Sequence, residues 1–213
     1  MRAAEAVAAL ALAADVTKLV FVDGYRIDAL SSRTADSGVT VRTPGEHPGV
    51  LLRDSVPDDS ALAALNLAFV RDGAEILATA SPSRPIAIVC IGSGRGLAVQ
   101  LGFRLKLGHG VRLTLTEYRL DLAGAEEAWL NTVSDIELAG DSHLELLRLQ
   151  RHGINCYATG LTRVRLATGA TLVAGSVDAG GRLVRNEFEI LLDGPGATAA
   201  VDGVALTRGR QHC

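Results

Sequence analysis

The sequence predicts a mainly β fold, in which a β-solenoid follows a small α/β segment. After residue 73, no stretch has a helical apolar pattern longer than about two turns. The same region contains runs of alternating apolar and polar residues, separated by short turns with glycine. Similar runs recur at intervals of roughly 30 residues, a period typical of repeat architectures. We therefore place a boundary between residues 1–73 and 74–213.

The repeat is visible in four stretches, LKLGHGVRLTL, IELAGDSHLEL, VRLATGATLVA and ILLDGPGATAA. Their anchoring leucines, spaced by 31, 28 and 26 residues, are Leu107, Leu138, Leu166 and Leu192. Each winding of a solenoid buries its inward side chains against the next winding, because no single winding can bury its own face. An ordinary β-sandwich or jelly roll has similar strands and turns, so both remain alternatives.

Outward positions of such windings are free to be polar. The polar residues that we assign to them are Arg165, Asp178, Arg182 and Glu189.

The first 73 residues predict a helix, a hairpin and a second helix. We interpret MRAAEAVAALALAADVTKLV as an amphipathic helix with Leu10 and Leu12 near its apolar face. Glu5 and Asp15 interrupt the apolar run, which argues against a secretory signal. Asp23-Gly24 lies between two strand-like runs and indicates a hairpin turn.

A loop with several prolines and glycines is predicted over residues 31–57, including Pro44, Pro48 and Pro57. The next stretch, DDSALAALNLAFVRDG, has the clearest helical pattern in the chain. Asp58, Asp59 or Ser60 is expected to cap this helix, and Gly73 to end it. Its predicted apolar face consists of Leu62, Leu65 and Phe69.

The stretch IVCIGSGRGLAVQL partly matches a dinucleotide-binding fingerprint. Gly92, Gly94 and Gly96 follow an apolar strand, but the third glycine position is occupied by Leu97. The residues that follow alternate with period two, so no helix N-terminus is present to bind a pyrophosphate. We predict a tight turn between two strands.

Candidate chemical groups are few. His152 and Cys156 form an H-x3-C pair, and His212 and Cys213 are adjacent in a segment expected to fray, so we assign no metal site to either pair. Cys90 is interpreted as a small core residue.

Two further groups are assigned no catalytic role. Glu126 and Glu127 are expected to point to opposite faces of an extended chain, which argues against paired acid–base work. Trp129 is either an interface anchor or a residue packed at a winding corner. We accordingly predict no catalytic, cofactor-binding or metal-binding residues.

Composition narrows the possible partners. The net charge of −3 and an aromatic content of 4% argue against general affinity for nucleic acid or an anionic membrane. No uncharged apolar stretch approaches the roughly 20 residues of a membrane span. Three cysteines without a CxxC motif fit neither a disulfide framework nor a self-contained iron–sulfur site, and we expect a cytoplasmic location.

The segment GGRLVRNEFEILLDGPGATAAVDGVALTRGRQH resembles the core of the SufB/SufD family of iron–sulfur cluster assembly proteins. The matching positions are Arg185-Asn186, Leu192, Gly194, Gly196-Ala197 and Gln211-His212. LVFVDGYRI and SALAALNLAFVRDGAEI resemble the SufD side of the family. The resemblance implies a right-handed parallel β-helix and a non-catalytic, SufD-like scaffold role beside SufB and the SufC ATPase. It also implies that a cluster is present only transiently, in the whole complex.

Family members are about twice as long, and their later windings and C-terminal helical segment are not matched. The family's cluster-related histidine belongs to that later part, so its role is not transferred to His212. We expect a chain that represents part of the family fold and self-associates through an open C-terminal winding. The alternatives are a structural solenoid without the family function and, less favoured by its scattered acidic residues, a carbohydrate-active β-helix enzyme.

Overall fold

In a computed structural model, most of the chain winds through two β-sheets. The structure describes residues 2–10, 12, 15–32, 36–45, 49, 52, 60–123 and 125–213. The helices are α1 (Ala3–Ala9) and α2 (Ala61–Phe69). The strands are β1 (Thr17–Val22), β2 (Tyr25–Arg26), β3 (Val39–Arg42), β4 (Asp72–Ala78), β5 (Ile86–Gly92), β6 (Ala98–Leu107), β7 (Arg112–Asp121), β8 (Trp129–Leu138), β9 (His143–His152), β10 (Tyr157–Leu166), β11 (Thr171–Gly180), β12 (Leu183–Leu192) and β13 (Thr198–Leu206).

From β4 onward, successive strands alternate between the two sheets. One sheet has the order β13-β11-β9-β7-β5-β1-β2 and the other β12-β10-β8-β6-β4-β3; we call them sheet A and sheet B. Neighbouring strands from β4 to β13 pair in parallel within each sheet. The result is a β-solenoid of about five windings. A sandwich or jelly roll built of antiparallel strands is thereby excluded.

The anchoring leucines stack as the repeat predicts. Leu107 is in register with Leu138, Leu138 with Leu166, and Leu166 with Leu192. The first three are buried, whereas Leu192 on the last winding is 52% exposed. The three buried leucines are part of an apolar column between the sheets, and each winding contributes side chains to it.

The N-terminal segment extends both sheets. Strand β1 pairs in parallel with β5 in sheet A, and β3 pairs antiparallel with β4 in sheet B. The predicted hairpin is confirmed: Val22 pairs with Tyr25 across Asp23 and Gly24, both with positive φ. Helix α1 packs on the outer face of sheet A through Ala6 and Val7, and Leu10 and Leu12 join the same cluster beyond its end.

Helix α2 begins as predicted, since the Ser60 hydroxyl accepts a hydrogen bond from the Ala63 amide. The other two cap candidates, Asp58 and Asp59, are outside the described residues. The predicted apolar face is wrong, because Ala63 and Asn66 are buried and Phe69 is 63% exposed. The other two residues of that face, Leu62 and Leu65, are half-buried.

The contact explains the buried polar face of α2. The Asn66 side-chain amide donates to the backbone carbonyls of Leu101 and Asn131, both at 3.0 Å. Asn131 donates in return to the Leu62 carbonyl at 2.9 Å. The helix is therefore attached to the outside of sheet B by amide hydrogen bonds as well as by apolar contact.

The prediction that Gly73 ends the helix is wrong, because Gly73 lies within β4. A Cβ atom at this position would be 1.8 Å from the Gly102 carbonyl oxygen of β6. The residue is glycine because two backbones approach closely, and the helix already ends at Phe69.

Charges alternate along the outer face of sheet B. One row crosses six strands in register, with Arg42, Glu75, Arg104, Asp135, Arg163 and Glu189. Ion pairs along it measure 3.6 Å for Arg42–Glu75, 3.2 Å for Arg104–Asp135 and 2.9 Å for Arg163–Glu189. We call this row the charge ladder. Opposite charges directly across neighbouring strands favour this register over a shifted one.

No helix in the part of the chain that the structure describes has both the length and the apolar character needed to cross a membrane.

Candidate functional site: a polar column inside the windings

On the inner face of sheet A, the first and second halves of strands β7, β9 and β11 differ in polarity. The first half carries apolar side chains, with Leu113, Leu144 and Leu172 in register on β7, β9 and β11. The second half carries polar groups at equivalent inward positions. We call this half the polar column; its members on sheet A are Glu117, Arg119, Asp121, Arg148, Gln150, His152, Ser176 and Asp178.

The most buried part of the column is an ionic triad. Glu117 Oε2 accepts hydrogen bonds from Arg119 Nη2 at 2.8 Å and Arg148 Nε at 2.9 Å. All three side chains are at most 3% exposed. Burial alone raises the pKa of Glu117, but the guanidinium groups of Arg148 and Arg119 outweigh it and lower this pKa from 4.5 to about 2. Glu117 is therefore ionised at neutral pH.

Arg148 connects the triad to the opposite wall. Its Nη2 donates to Thr162 Oγ1 at 2.9 Å, and its Nη1 lies 3.5 Å from Asn186 Oδ1. The guanidinium also lies over the Phe188 ring, 5.5 Å from the ring centre. Arg148 thus contacts both sheets across the interior of the winding.

Asp178 corrects one of the predicted outward positions. It is only 7% exposed, and both carboxylate oxygens accept hydrogen bonds of 3.0 Å from Asn186 Nδ2. It lies in register with Gln150 and points inward, as the other column members do. The other three predicted outward residues, Arg165, Arg182 and Glu189, are exposed.

Sheet B supplies small side chains opposite the column. Thr132 and Ser134 are inward residues of β8, and Gly160 pairs with Thr132 on the next strand. A Cβ atom at Gly160 would be 2.9 Å from Thr132 Oγ1 and 3.0 Å from Arg119 Nη1. An added Cβ atom would therefore crowd the Thr132 hydroxyl and the Arg119 guanidinium.

A carboxylate–histidine pair lies at the far edge of the column. Asp121 Oδ2 is 2.9 Å from His152 Nδ1 and also accepts a hydrogen bond of 2.9 Å from the Gly153 amide. Burial opposes ionisation of Asp121, but the hydrogen bond from His152 and the other contacts outweigh it and lower the pKa of this carboxyl. Asp121 therefore fixes the orientation of the His152 ring.

Cys156 lies beside this pair. Its Sγ is 3.6 Å from the Ala125 carbonyl, and burial, as the main cause, raises the pKa of the thiol to about 11. The structure thus brings the H-x3-C residues His152 and Cys156 to Asp121, a third residue that sequence reasoning did not select. Within the described residues, no three His, Cys, Asp or Glu side chains form a group with metal-binding geometry.

Cys90 is buried in sheet A, in register with Arg119. Burial raises its pKa to about 12, and the positive charge of Arg119 only partly offsets that effect. The Cys90 and Cys156 thiols are therefore protonated at neutral pH, and a protonated thiol is a poor nucleophile and metal ligand.

The glycine-rich stretch has no nucleotide-binding geometry. Strand β5 ends at Gly92, residues 93–97 form a connection, and β6 begins at Ala98, so a strand follows the glycines, as predicted.

The two adjacent glutamates do not point to opposite faces. Glu126 and Glu127 both approach Arg95, with N–O distances of 2.6 and 3.9 Å. The expectation was wrong because Glu127 has φ of 53°, so the chain is not extended there.

The other candidates have structural contacts. Trp129 begins β8 at a corner and donates through Nε1 to Thr159 Oγ1 at 2.9 Å. The terminal segment, which we expect to fray, is hydrogen-bonded in this structure: the His212 amide donates to the Arg182 carbonyl at 3.1 Å, and the His212 carbonyl accepts from the Val184 amide at 2.8 Å. Cys213 is exposed.

The polar column offers hydrogen-bonding groups, but its geometry does not resemble the active site of an enzyme with a nucleophilic residue. Both guanidinium groups share the single carboxylate of Glu117, and both nearby thiols are protonated. Sequence reasoning missed the column because charged residues within alternating runs were read as outward-facing. The available signal was the position of Glu117, Arg119, Arg148 and Gln150, which are in phase with the buried leucines of the same strands.

Two comparisons with known proteins give consistent results. Residues 91–213 match the family model described as "SUF system FeS cluster assembly, SufBD core domain". The chain is also 26% identical over 210 residues to the iron–sulfur cluster assembly protein SufD of Escherichia coli (strain K12). That alignment covers 96% of this chain and 49% of the relative, so the chain spans about half the length of the curated relative it matches.

Proposed function

The chain belongs to the SufBD core-domain family of the SUF iron–sulfur cluster assembly system, and we propose that it acts as a SufD-like, non-catalytic scaffold subunit of an assembly complex. Its proposed partners are a SufB-like protein and a SufC-like ATPase. Iron–sulfur clusters are cargo of the whole complex in this proposal and do not bind stably to this chain.

The observation that carries the proposal is the extent of the similarity to SufD. It covers 96% of the chain, including the N-terminal segment, which lies outside the family-model match at residues 91–213. The N-terminal segment has a defined place in the fold, since β1 and β3 extend both sheets and α2 is attached to sheet B. The similarity therefore concerns an integrated structure and not isolated strands.

Two properties of the structure support a scaffold role. Parallel windings joined by the charge ladder and the ionic triad give a surface whose residues are fixed in register. The Cys90 and Cys156 thiols are kept protonated by burial, which disfavours tight cluster ligation by this chain alone.

Co-purification from a common expression system tests the proposal. The tagged chain is produced with SufB-like and SufC-like proteins of one organism, and a tagged β-solenoid protein from another family is the matched control. We expect both partners to be retained by this chain and not by the control. If the folded chain retains neither partner, the SufD-like role is wrong and the structural-solenoid alternative is favoured.

A cluster-transfer assay separates a scaffold function from an enzymatic function. Cluster transfer to an apo-ferredoxin, followed by absorbance, should require all the subunits together. Cluster assembly by this chain alone would overturn the non-catalytic assignment.

A further inference from the structure

Buried polar atoms without a protein partner are concentrated in the polar column and on the wall of sheet B opposite it. Among the described residues, six such atoms lie there: Arg119 Nη1, Thr132 Oγ1, Ser134 Oγ, Gln150 Nε2, Gln150 Oε1 and His152 Nε2. Native proteins rarely leave buried polar atoms unsatisfied, because each unmade hydrogen bond costs free energy. A cluster of them within one interior indicates that something other than protein satisfies them.

The atoms lie close together in the fold. Arg119 and Gln150 are in register on neighbouring strands, and His152 is the next inward residue after Gln150 on β9. Thr132 and Ser134 are consecutive inward residues of β8 on the opposite wall. The positions around Gly160 show that Arg119 Nη1 and Thr132 Oγ1 face the same small space.

The donor and acceptor types identify the chemical class of the ligand. Arg119 Nη1 and Gln150 Nε2 can only donate, whereas Gln150 Oε1 can only accept. His152 Nε2 is an acceptor when Nδ1 carries the proton donated to Asp121, and the two hydroxyls can act either way. An anion would satisfy the donors and leave the acceptors unpaired.

We propose that the polar column is a binding site for a chain of ordered water molecules, which runs from Arg119 past Gln150 to His152. Water both donates and accepts, and a buried water typically makes about three hydrogen bonds, so six atoms require roughly two molecules or more. The column leads toward the last winding, where Ser176 and Asn186 are only half-buried. Water can therefore exchange through that end.

The proposal also explains why the column is bordered by small residues. Thr132, Ser134 and Gly160 stand where larger side chains would fill the space beside the two arginines.

Magnetic relaxation dispersion of water nuclei in the whole chain tests the site, because it counts internal waters with long residence times. We expect the double variant Thr132→Val with Ser134→Ala to lose part of the wild-type dispersion. Thr116→Val, on the outer face of β7, is the matched control and should leave it unchanged. Neither change should raise the denaturation midpoint, since the hydroxyls bond to water in the folded state.

Equal dispersion in the wild type and the double variant would overturn the proposal. So would a clear rise in the midpoint of Thr132→Val, which would mean that the hydroxyl has no partner in the folded state. If the double variant does not fold, a high-resolution crystal structure of the wild type soaked in bromide decides: water density supports the proposal, and bromide density beside Arg119 or direct contacts among the six atoms refute it.

Discussion

Glu117 and Arg148 are separated by 31 residues and form a buried ion pair of 2.9 Å between successive windings. Arg119, on the same strand as Glu117, completes the triad at 2.8 Å. A buried carboxylate between two guanidinium groups satisfies charges that would otherwise be costly inside the fold. The triad therefore couples the stability of neighbouring windings.

Replacing Glu117 by glutamine should destabilise the chain severely. The change leaves two buried guanidinium groups without a counter-charge, and we expect the free energy of unfolding to fall by about 3–5 kcal/mol. Urea denaturation followed by circular dichroism measures the loss. Glu145→Gln is the matched control, because Glu145 is 58% exposed and its loss should change stability by no more than about 0.5 kcal/mol. Equal effects of the two changes would contradict the role of the triad.

Stability should also fall in acid. The pKa of Glu117 is lowered to about 2 in the folded chain from an ordinary value of 4.5, so the unfolded chain binds the proton first. The stabilisation is complete above pH 4.5 and is lost as the pH falls toward 2. Urea midpoints measured across that window should drop steeply in the wild type and less steeply in Glu117→Gln. Asp36 and Asp121, whose pKa values are also lowered, keep some slope in the variant. Identical slopes would be inconsistent with this assignment.

The charge ladder predicts a position-dependent effect of charge reversal. Asp135 lies in register between Arg104 and Arg163, so Asp135→Arg would place three cations side by side. We expect a loss of about 1 kcal/mol that becomes smaller in high salt, because ions screen partly exposed charges. Chemical denaturation by urea, with and without added salt, measures both effects. Asp202→Arg on β13, where the side chain is exposed, should change little; a loss of the same size there would argue against the ladder.

The three thiols should differ in reactivity. Cys213 is exposed, although partial burial also raises the pKa of its thiol. Cys90 and Cys156 are buried, and their pKa values are raised to about 12 and 11. Brief treatment with iodoacetamide near neutral pH should modify one thiol in the folded chain and three in denaturant, as measured by mass spectrometry. The Cys213→Ser variant should show almost no rapid labelling. Fast modification of Cys90 in the folded wild type would show that the interior is more accessible than the structure indicates.

The exposed apolar side chains of the last winding should cause the isolated chain to self-associate. Leu192 and Leu206 are 52% and 60% exposed, and Val201, in register with buried Ala174, is 43% exposed. Val201→Lys should increase the monomer fraction in sedimentation velocity measurements over a concentration series. Val173→Lys is a closely matched control, since Val173 is 44% exposed but points outward on β11. A wild type that is monomeric at high concentration would refute this expectation.

The apolar repeat and the turns could be predicted from the sequence because their signals are local. Leu107, Leu138 and Leu166 recur once per winding, and burial of apolar area requires them to stack. Asp23-Gly24 adopts positive φ values that a two-residue hairpin requires, so the residue types alone indicate the turn.

Only the tertiary structure decided which side of its strand Asp178 occupies. In an alternating run, inward and outward residues have the same spacing, so Asp178 looks the same in sequence whether it is solvated or buried beside Asn186. Its side was set by the register between windings. Asp121 and His152 likewise meet only because strands 31 residues apart are stacked, and Asn66 became the buried residue of α2 because sheet B offers it carbonyl acceptors. Sequence determined which residues repeat, whereas packing between distant strands determined which polar groups are enclosed, because hydrogen-bond partners inside a solenoid come from other windings.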